Sequence, residues 1–479
     1  MLPSFHPSIA FTDLLTPLDW AVFIALQLLT VGAVIYGHYR KRSATVRKDA
    51  ASNVLDIMLM GRQLTLPLFV ATLVATWYGG IFGVTETAFN YGIYNFITQG
   101  AFWYVTYLIF AFFIVQKVAR YNAITLPELI GKMFGPRSAR VSAVYNFFNI
   151  LPIAYAISIG IFLQAVLGGT LLQMMTLGMV FVVLYTMWGG FRAVVFSDLI
   201  QCIVMCTAVA LVLFWSLGTF GGWSFLRAHL PAAHFSPTGG NSWATTFVWG
   251  FVALATLVDP SFYQRCFAAK SVGVARWGIV LSTVIWFGFD ICTTAGGMYA
   301  RAVIPDAVPR HAYLTYALQL LPPGLRGFML AGIAATILST LDAFLFIAGN
   351  TLTYDLVPAR WKGRVSLQRR GIVIAGILAV VLGQLFDGNI RETWKTLGSY
   401  AAACVLLPVL IGYAFPGKIR DNQFVFASLC GVAGTTAWRC IPRTGFWLEV
   451  DALYIGTAST ALGLLLYALL RPLLCSRPR

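Results

Sequence analysis

Runs of about twenty apolar residues recur along this chain from residue 18 to residue 470, and water offers them no solvent. A helix rises ~1.5 Å per residue, so ~20 such residues match the ~30 Å hydrocarbon core of a bilayer. Thirteen runs fit: 18–38, 65–84, 94–117, 141–168, 171–188, 194–217, 243–264, 275–298, 326–353, 370–386, 393–414, 422–438 and 449–470. Apolar residues make up 59% of the 479 and charged residues only 10%, where a soluble domain carries ~25% charged. The expected fold class is an all-α polytopic membrane protein. A soluble enzyme, a disordered chain and a fibrous one are excluded.

The net charge of +16 is explained by where the charges fall. With thirteen crossings, alternate connections lie on opposite sides. One set (38–64, 118–140, 189–193, 265–274, 354–369, 415–421 and the C-terminal tail, with adjoining span ends) holds 25 Lys and Arg, and the other holds 7. Basic residues accumulate on the cytoplasmic side, which predicts an outer N-terminus and an inner C-terminus. The basic excess is therefore expected to report topology, not a nucleic-acid surface. No Lys or Arg precedes residue 40, so no basic leader and no cleavable signal peptide is expected.

The eight cysteines are scattered, and only Cys440 falls in an outer connection, so no outer disulfide framework is expected. Cys202 and Cys206 share a helix face without a third ligand and read as packing. The five histidines lie at span ends or in loops, which argues against haem ligation inside the membrane. No GxxxxGK[ST] sequence occurs, which argues against ATP-driven transport by this chain alone.

The expected organisation is an extra N-terminal span with a basic cytoplasmic loop (1–61), five spans (62–218), an outer loop (219–242), five more spans (243–414) and two C-terminal spans (415–479). Because five is odd, the second set starts from the opposite side of the membrane. That makes it an inverted repeat of the first, a transporter architecture in which the first helix of each repeat is broken. Gly79-Gly80 in the second span and Asp259-Pro260 in the seventh can free backbone carbonyls there. Close packing through small residues is the plainer reading of the glycines.

Ionisable groups in hydrocarbon are costly and usually functional. Asp198, Asp290 and Asp342 lie inside spans. Asp198 is near enough to an inner boundary to be interfacial, and Asp290 also reads as a hydrogen-bonded core acid. Thr336, Ser339 and Thr340 fall at i, i+3 and i+4, so their hydroxyls share one helix face. Na⁺, a hard cation, takes oxygen ligands of this kind. Helix packing through hydroxyls bonded to their own backbone explains the same spacing.

Trp188-Gly-Gly-Phe-Arg-Ala-Val-Val-Phe-Ser-Asp198-Leu-Ile-Gln201 resembles the signature of the sodium:solute symporter family. Thr125-Leu-Pro-Glu-Leu129, Gln264-Arg265 with Ala268-Ala-Lys270, and Ala334-Ala-Thr-Ile-Leu-Ser-Thr-Leu-Asp342 with Asp355 are further matches in the same order. The resemblance implies a LeuT-type inverted-repeat fold and Na⁺-driven uptake of a small organic solute, with no organic cofactor. It implies a Na⁺ site built from the carbonyls of Ala75, Tyr78 and Thr336 and the hydroxyls of Ser339 and Thr340. It gives Asp198, with Asp342, the role of cation relay or second ion site. Proline-transporting members have an acid where Trp77 stands, and aromatic residues where Val252 and Thr256 stand, so the substrate end departs from that pattern. Trp77, Gly79, Gly80, Thr256 and Asp259 are the candidates to line the pocket.

The expected function is a Na⁺-coupled symporter in the plasma membrane, with Na⁺, a solute and lipid as partners and a homo-oligomer compatible with it. Two alternatives share the fold: H⁺ coupling, and a solute sensor without net transport. A sensor calls for an output domain, and none is recognisable in the 479 residues. A membrane-embedded enzyme lacks support, since no His-Asp pair or metal-ligand cluster lies inside a span.

Overall fold

A computed structural model describes residues 5–6, 11–44, 50–362, 364–448 and 450–475. The basic residues at 47, 48, 477 and 479, part of the inner set above, lie outside the described residues. The described chain is all helix and connection; its one strand-like pairing is the bridge between Leu64 and Ala269. Ten helices are long and apolar enough to cross a membrane, so this is an integral, multi-pass membrane protein.

Three of the apolar segments are not single straight helices, for identifiable reasons. Residues 171–220 form one helical run of 50 residues. At ~1.5 Å per residue that is ~75 Å, more than twice the hydrocarbon thickness. It changes direction at Gly190, whose φ of 63° and ψ of −175° are non-helical. Only glycine takes that conformation readily. Residues 65–91 form two short helices, Leu66–Ala75 and Ile81–Tyr91, with residues 76–80 between them. Residues 243–268 are divided in a similar way: Trp243–Ala253, a tighter turn over Leu254–Val258, then Pro260–Ala268 capped by Asp259. Both interruptions fall at the Gly-Gly and Asp-Pro pairs read from the sequence.

Helix Leu325–Asn350 is the axis of the molecule. Its apolar stretch is enclosed on every side, whereas the first helix, Pro17–Ala44, leaves most of its surface bare for lipid. Glycines let its neighbours close in. A Cβ on Gly332 would sit 2.3 Å from the Cβ of Ala208, and one on Gly327 would sit 2.0 Å from the Asp19 carbonyl oxygen. Asp19 repays this approach by capping the axial helix. Its Oδ1 accepts from the Gly324 and Gly327 amides at 2.7 and 3.0 Å, donors that a helix start leaves unpaired.

The last two helices, Asp421–Cys440 and Ala452–Cys475, form a close pair. Hypothetical Cβ atoms on Gly431, Gly434 and Gly456 would lie 2.0–2.1 Å from the hydroxyls of Thr460, Ser459 and Thr435. Lys395, which falls within the apolar run 393–414 and so in neither basic set, is matched by Asp451 at 2.8 Å.

Candidate functional site

Helix Leu66–Ala75 stops where Thr76 leaves helical geometry. In a continuous helix the Ala75 carbonyl would accept from the Gly79 amide. Here it accepts from the Ser339 hydroxyl at 2.8 Å, with the Thr340 hydroxyl at 3.4 Å. The Ser339 Oγ is also 2.7 Å from the Ala335 carbonyl and 3.2 Å from that of Thr336, and the Thr340 Oγ1 is 3.1 Å from the Thr336 carbonyl. A hydroxyl has one proton. Ser339 therefore faces three carbonyl oxygens and can satisfy one at a time. The Ala335 and Thr336 carbonyls keep the amide donors of their own helix, whereas the Ala75 carbonyl has lost its helical donor and has these hydroxyls instead, a shell of oxygens that a cation would complete. Thr336 contributes through its carbonyl, because its own hydroxyl turns back to Ile333 at 2.6 Å. The structure thus brings Ala75, Thr336, Ser339 and Thr340 together.

Tyr78 sits beside them. A Cβ on the adjoining Gly79 would lie 2.5 Å from the Thr340 Cβ, so the missing side chain lets the broken segment lie flat on the axial helix. The Tyr78 ring packs against Phe289 with centroids 4.1 Å apart.

Asp198 is fully buried within the protein. It accepts a very short hydrogen bond from the Thr72 hydroxyl, and the Thr76 hydroxyl lies 3.5 Å away. Arg265 approaches it at 3.9 Å and donates to Thr76 at 2.6 Å and Thr72 at 3.3 Å. Arg265, which falls in the connection 265–274 assigned above to the inner side, has no side-chain exposure at all. An unpaired guanidinium would be prohibitively costly there, and Arg265 is surrounded by Asp198, Asp259 and Asp342. Asp342 is also buried. It accepts from the Tyr185 hydroxyl at 3.0 Å, while its Oδ1, like that of Asp198, has no protein partner. Thr76 follows Ala75 directly, so the acid group adjoins the hydroxyl cluster through one residue. Asp290 accepts from the Tyr104 hydroxyl and lies against the Tyr78 hydroxyl, on the far side of Tyr78 from the cluster's hydroxyls.

A cavity of about 140 Å³ opens between the two interruptions. Trp77, Thr256 and Asp259 line it. Gly79 and Gly80 do not. Gly79 is pressed against Thr340 and Tyr155, and a Cβ on Gly80 would fall 1.9 Å from the Trp394 ring. The wall also holds aromatic residues that the sequence does not single out, among them Trp103, Tyr155, Trp249, Phe344 and Trp394. In an apolar span a tryptophan resembles any lipid-facing residue, so only the fold could have selected them.

Residues 58–415 match the Sodium:solute symporter family. Mouse sodium/glucose cotransporter 4 is 27% identical over 377 residues, covering 67% of this chain and 54% of its own length. The chain thus spans about half the length of the glucose cotransporters it matches. The Escherichia coli sodium/pantothenate symporter is 26% identical, covering 70% of this chain and 74% of its own. The osmoregulated proline transporter OpuE of Bacillus subtilis is 24% identical, covering 87% and 88%. Among solved structures, a Na⁺-coupled sialic acid symporter in a substrate-bound, outward-open state superposes with a TM-score of 0.75 at 14% identity, over 95% of this chain and 98% of that one. The LeuT-type fold expected above is therefore present, and with three quarters of its length matched, the chain belongs to the sodium:solute symporter family.

Proposed function

We propose that the chain is a Na⁺-coupled symporter that imports a small organic solute across the plasma membrane by alternating access. Na⁺ is cargo, held by the carbonyls of Ala75, Tyr78 and Thr336 and the hydroxyls of Ser339 and Thr340. The observation that carries this reading is the Ala75 carbonyl, freed from the ladder of the broken helix and turned onto the Ser339 and Thr340 hydroxyls of the axial helix. An ion there ties the two elements together. It favours whichever state of the carrier holds them closer, by its difference in affinity for the two states. The inward Na⁺ gradient and the membrane potential, at ~2.3 kcal/mol per charge per 100 mV, then drive import. Asp198 and Asp342 pass the ion toward the cytoplasm or hold a second one.

The membrane arrangement we propose has thirteen crossings, an outer N-terminus, an inner C-terminus and two inverted sets of five within 62–218 and 243–414. Three features of the fold support the count beyond the ten long apolar helices: the bend at Gly190, the split helix over residues 66–91, and the paired helix Asp421–Cys440.

Ser339→Ala and Thr340→Val test the ion site. Each removes one oxygen and leaves every carbonyl in place. Losing one polar contact in a buried site costs about 1–3 kcal/mol, so the half-maximal Na⁺ concentration for uptake should rise roughly 5- to 150-fold. Solute affinity at saturating Na⁺ should change far less. If both variants melt earlier yet keep the parent Na⁺ dependence, these hydroxyls only pack helices.

A further inference from the structure

The cavity between the two interruptions has an unusual wall. Trp77, Tyr78, Trp103, Tyr155, Trp249, Phe344 and Trp394 supply seven aromatic side chains. Among the described residues of the lining there is no Lys, Arg or His, and the single carboxylate is Asp259. An anion entering this space would lose its hydration and meet a negative group and the negative faces of aromatic rings. A cation meets the opposite balance, because indole faces attract positive charge most strongly of all side chains.

The rings are also held in place. Trp77 packs at 5.4–5.8 Å against Tyr107, Phe262 and Trp286. Tyr155 is fixed edge-on to Phe344 at 4.9 Å. Trp249 already carries a cation, the Arg391 guanidinium 5.5 Å from its ring. Asp259 is oriented by its role as a helix cap. Its Oδ1 accepts from the amides of Ser261 and Phe262 at 2.8 and 3.1 Å and from the Ser261 hydroxyl. That leaves Oδ2 as the oxygen available to a ligand.

We infer that the solute taken by this cavity is a small organic cation, an alkylated ammonium compound seated among Trp77, Trp103 and Trp394 with Asp259 as its counter-charge. The inference rests on the reading that this cavity is the solute site. It specifies the class: a positive, poorly hydrated head group with no requirement for a carboxylate. A quaternary ammonium suits the wall better than a primary one, since its methyl groups give up little hydration on entry.

The test is direct binding to the purified full chain in lipid nanodiscs, with and without Na⁺. The probes are choline, its uncharged isostere 3,3-dimethyl-1-butanol, a small monocarboxylate and a hexose. Choline should raise the melting temperature and bind about tenfold or more tightly than the isostere, because only the charge differs. Trp77→Leu and Asp259→Asn should each weaken choline binding about tenfold and leave the isostere unchanged. Asparagine is itself a good helix cap, so Asp259→Asn keeps the cap while removing the charge, and Asp198 and Asp342 still face Arg265. Equal binding of choline and its isostere, or binding of the monocarboxylate or hexose in preference to choline, overturns the assignment. So does the absence of any choline binding. Na⁺ added alone separates the two readings. Stabilisation by Na⁺ that Ser339→Ala abolishes, in a protein that ignores choline, rejects the solute class and keeps the symporter. A protein that responds to neither loses both.

Discussion

Arg265 is the residue whose role is read most differently from sequence and from structure. At the end of an apolar run it looks like one more inner-surface charge, and the signal that would have moved it inward, the three carboxylates around it, lies on other helices. The hydroxyls of Thr336, Ser339 and Thr340 were legible because one helix carries all three at fixed spacing. Ala75 and Tyr78 came from family likeness alone, since a backbone carbonyl leaves no mark in a sequence. Burial of Arg265 also changes what a mutation of Asp198 does. Removing one partner of a buried ion pair costs up to about 3–5 kcal/mol, and here Asp259 and Asp342 absorb part of that. Asp198→Asn is expected to lower the melting temperature and to raise the Na⁺ requirement of uptake. Adding Arg265→Met should restore the melting temperature and leave the Na⁺ defect. If the double variant regains both, Asp198 does no more than balance Arg265.

Among the elements, the two interrupted helices and the bent one were foreseeable to different degrees. Gly79-Gly80 and Asp259-Pro260 mark weak points in a helical ladder, and the chain parts at both. What holds the first interruption open is tertiary: Thr340 and the Trp394 ring occupy the space a side chain would need. Gly190 was hidden, because the preceding Gly189 is equally small and the two share one motif. The backbone separates them, since only Gly190 has a positive φ. Placing a Cβ in that conformation costs about 1–3 kcal/mol. Gly190→Ala should therefore reduce thermal stability by that amount, and Gly189→Ala should be limited to the cost of its contact with the neighbouring Ala193 side chain. Chemical denaturation in detergent distinguishes them, and equal losses would mean the bend does not depend on the glycine.

At the scale of the whole molecule, sequence reads hydrophobicity well and partnership poorly. Helix Asp421–Cys440 shows this. It carries Asp421, Asn422, Gln423, Thr435, Thr436 and Arg439, and it is not among the ten helices apolar enough to cross a membrane. Gln423 donates to the Leu464 carbonyl of Ala452–Cys475 and Thr435 packs against its Gly456, while Asp421 and Asn422 are taken up by Arg137 and Ser138, and Thr436 and Arg439 by Tyr400 and Glu392. The same closeness sets an order of events during synthesis. When Asp421–Cys440 leaves the ribosome its partner is still unmade, and lipid is a poor solvent for it. With the proposed orientation, the expected order is that it waits until Ala452–Cys475 emerges and that the two enter as a hairpin, carrying the connection between them through to the far side. Exposed Cys440 reports the outcome. In the full chain a membrane-impermeant maleimide should label Cys440 in intact cells, whereas Arg360→Cys in a Cys440→Ser background should label only after permeabilisation. The reverse pattern would invert the proposed orientation. In a chain stopped at residue 450, Cys440 should remain beyond the reagent until the cells are opened, so that the final crossing of this protein is decided by a helix that has not yet been translated when the crossing begins.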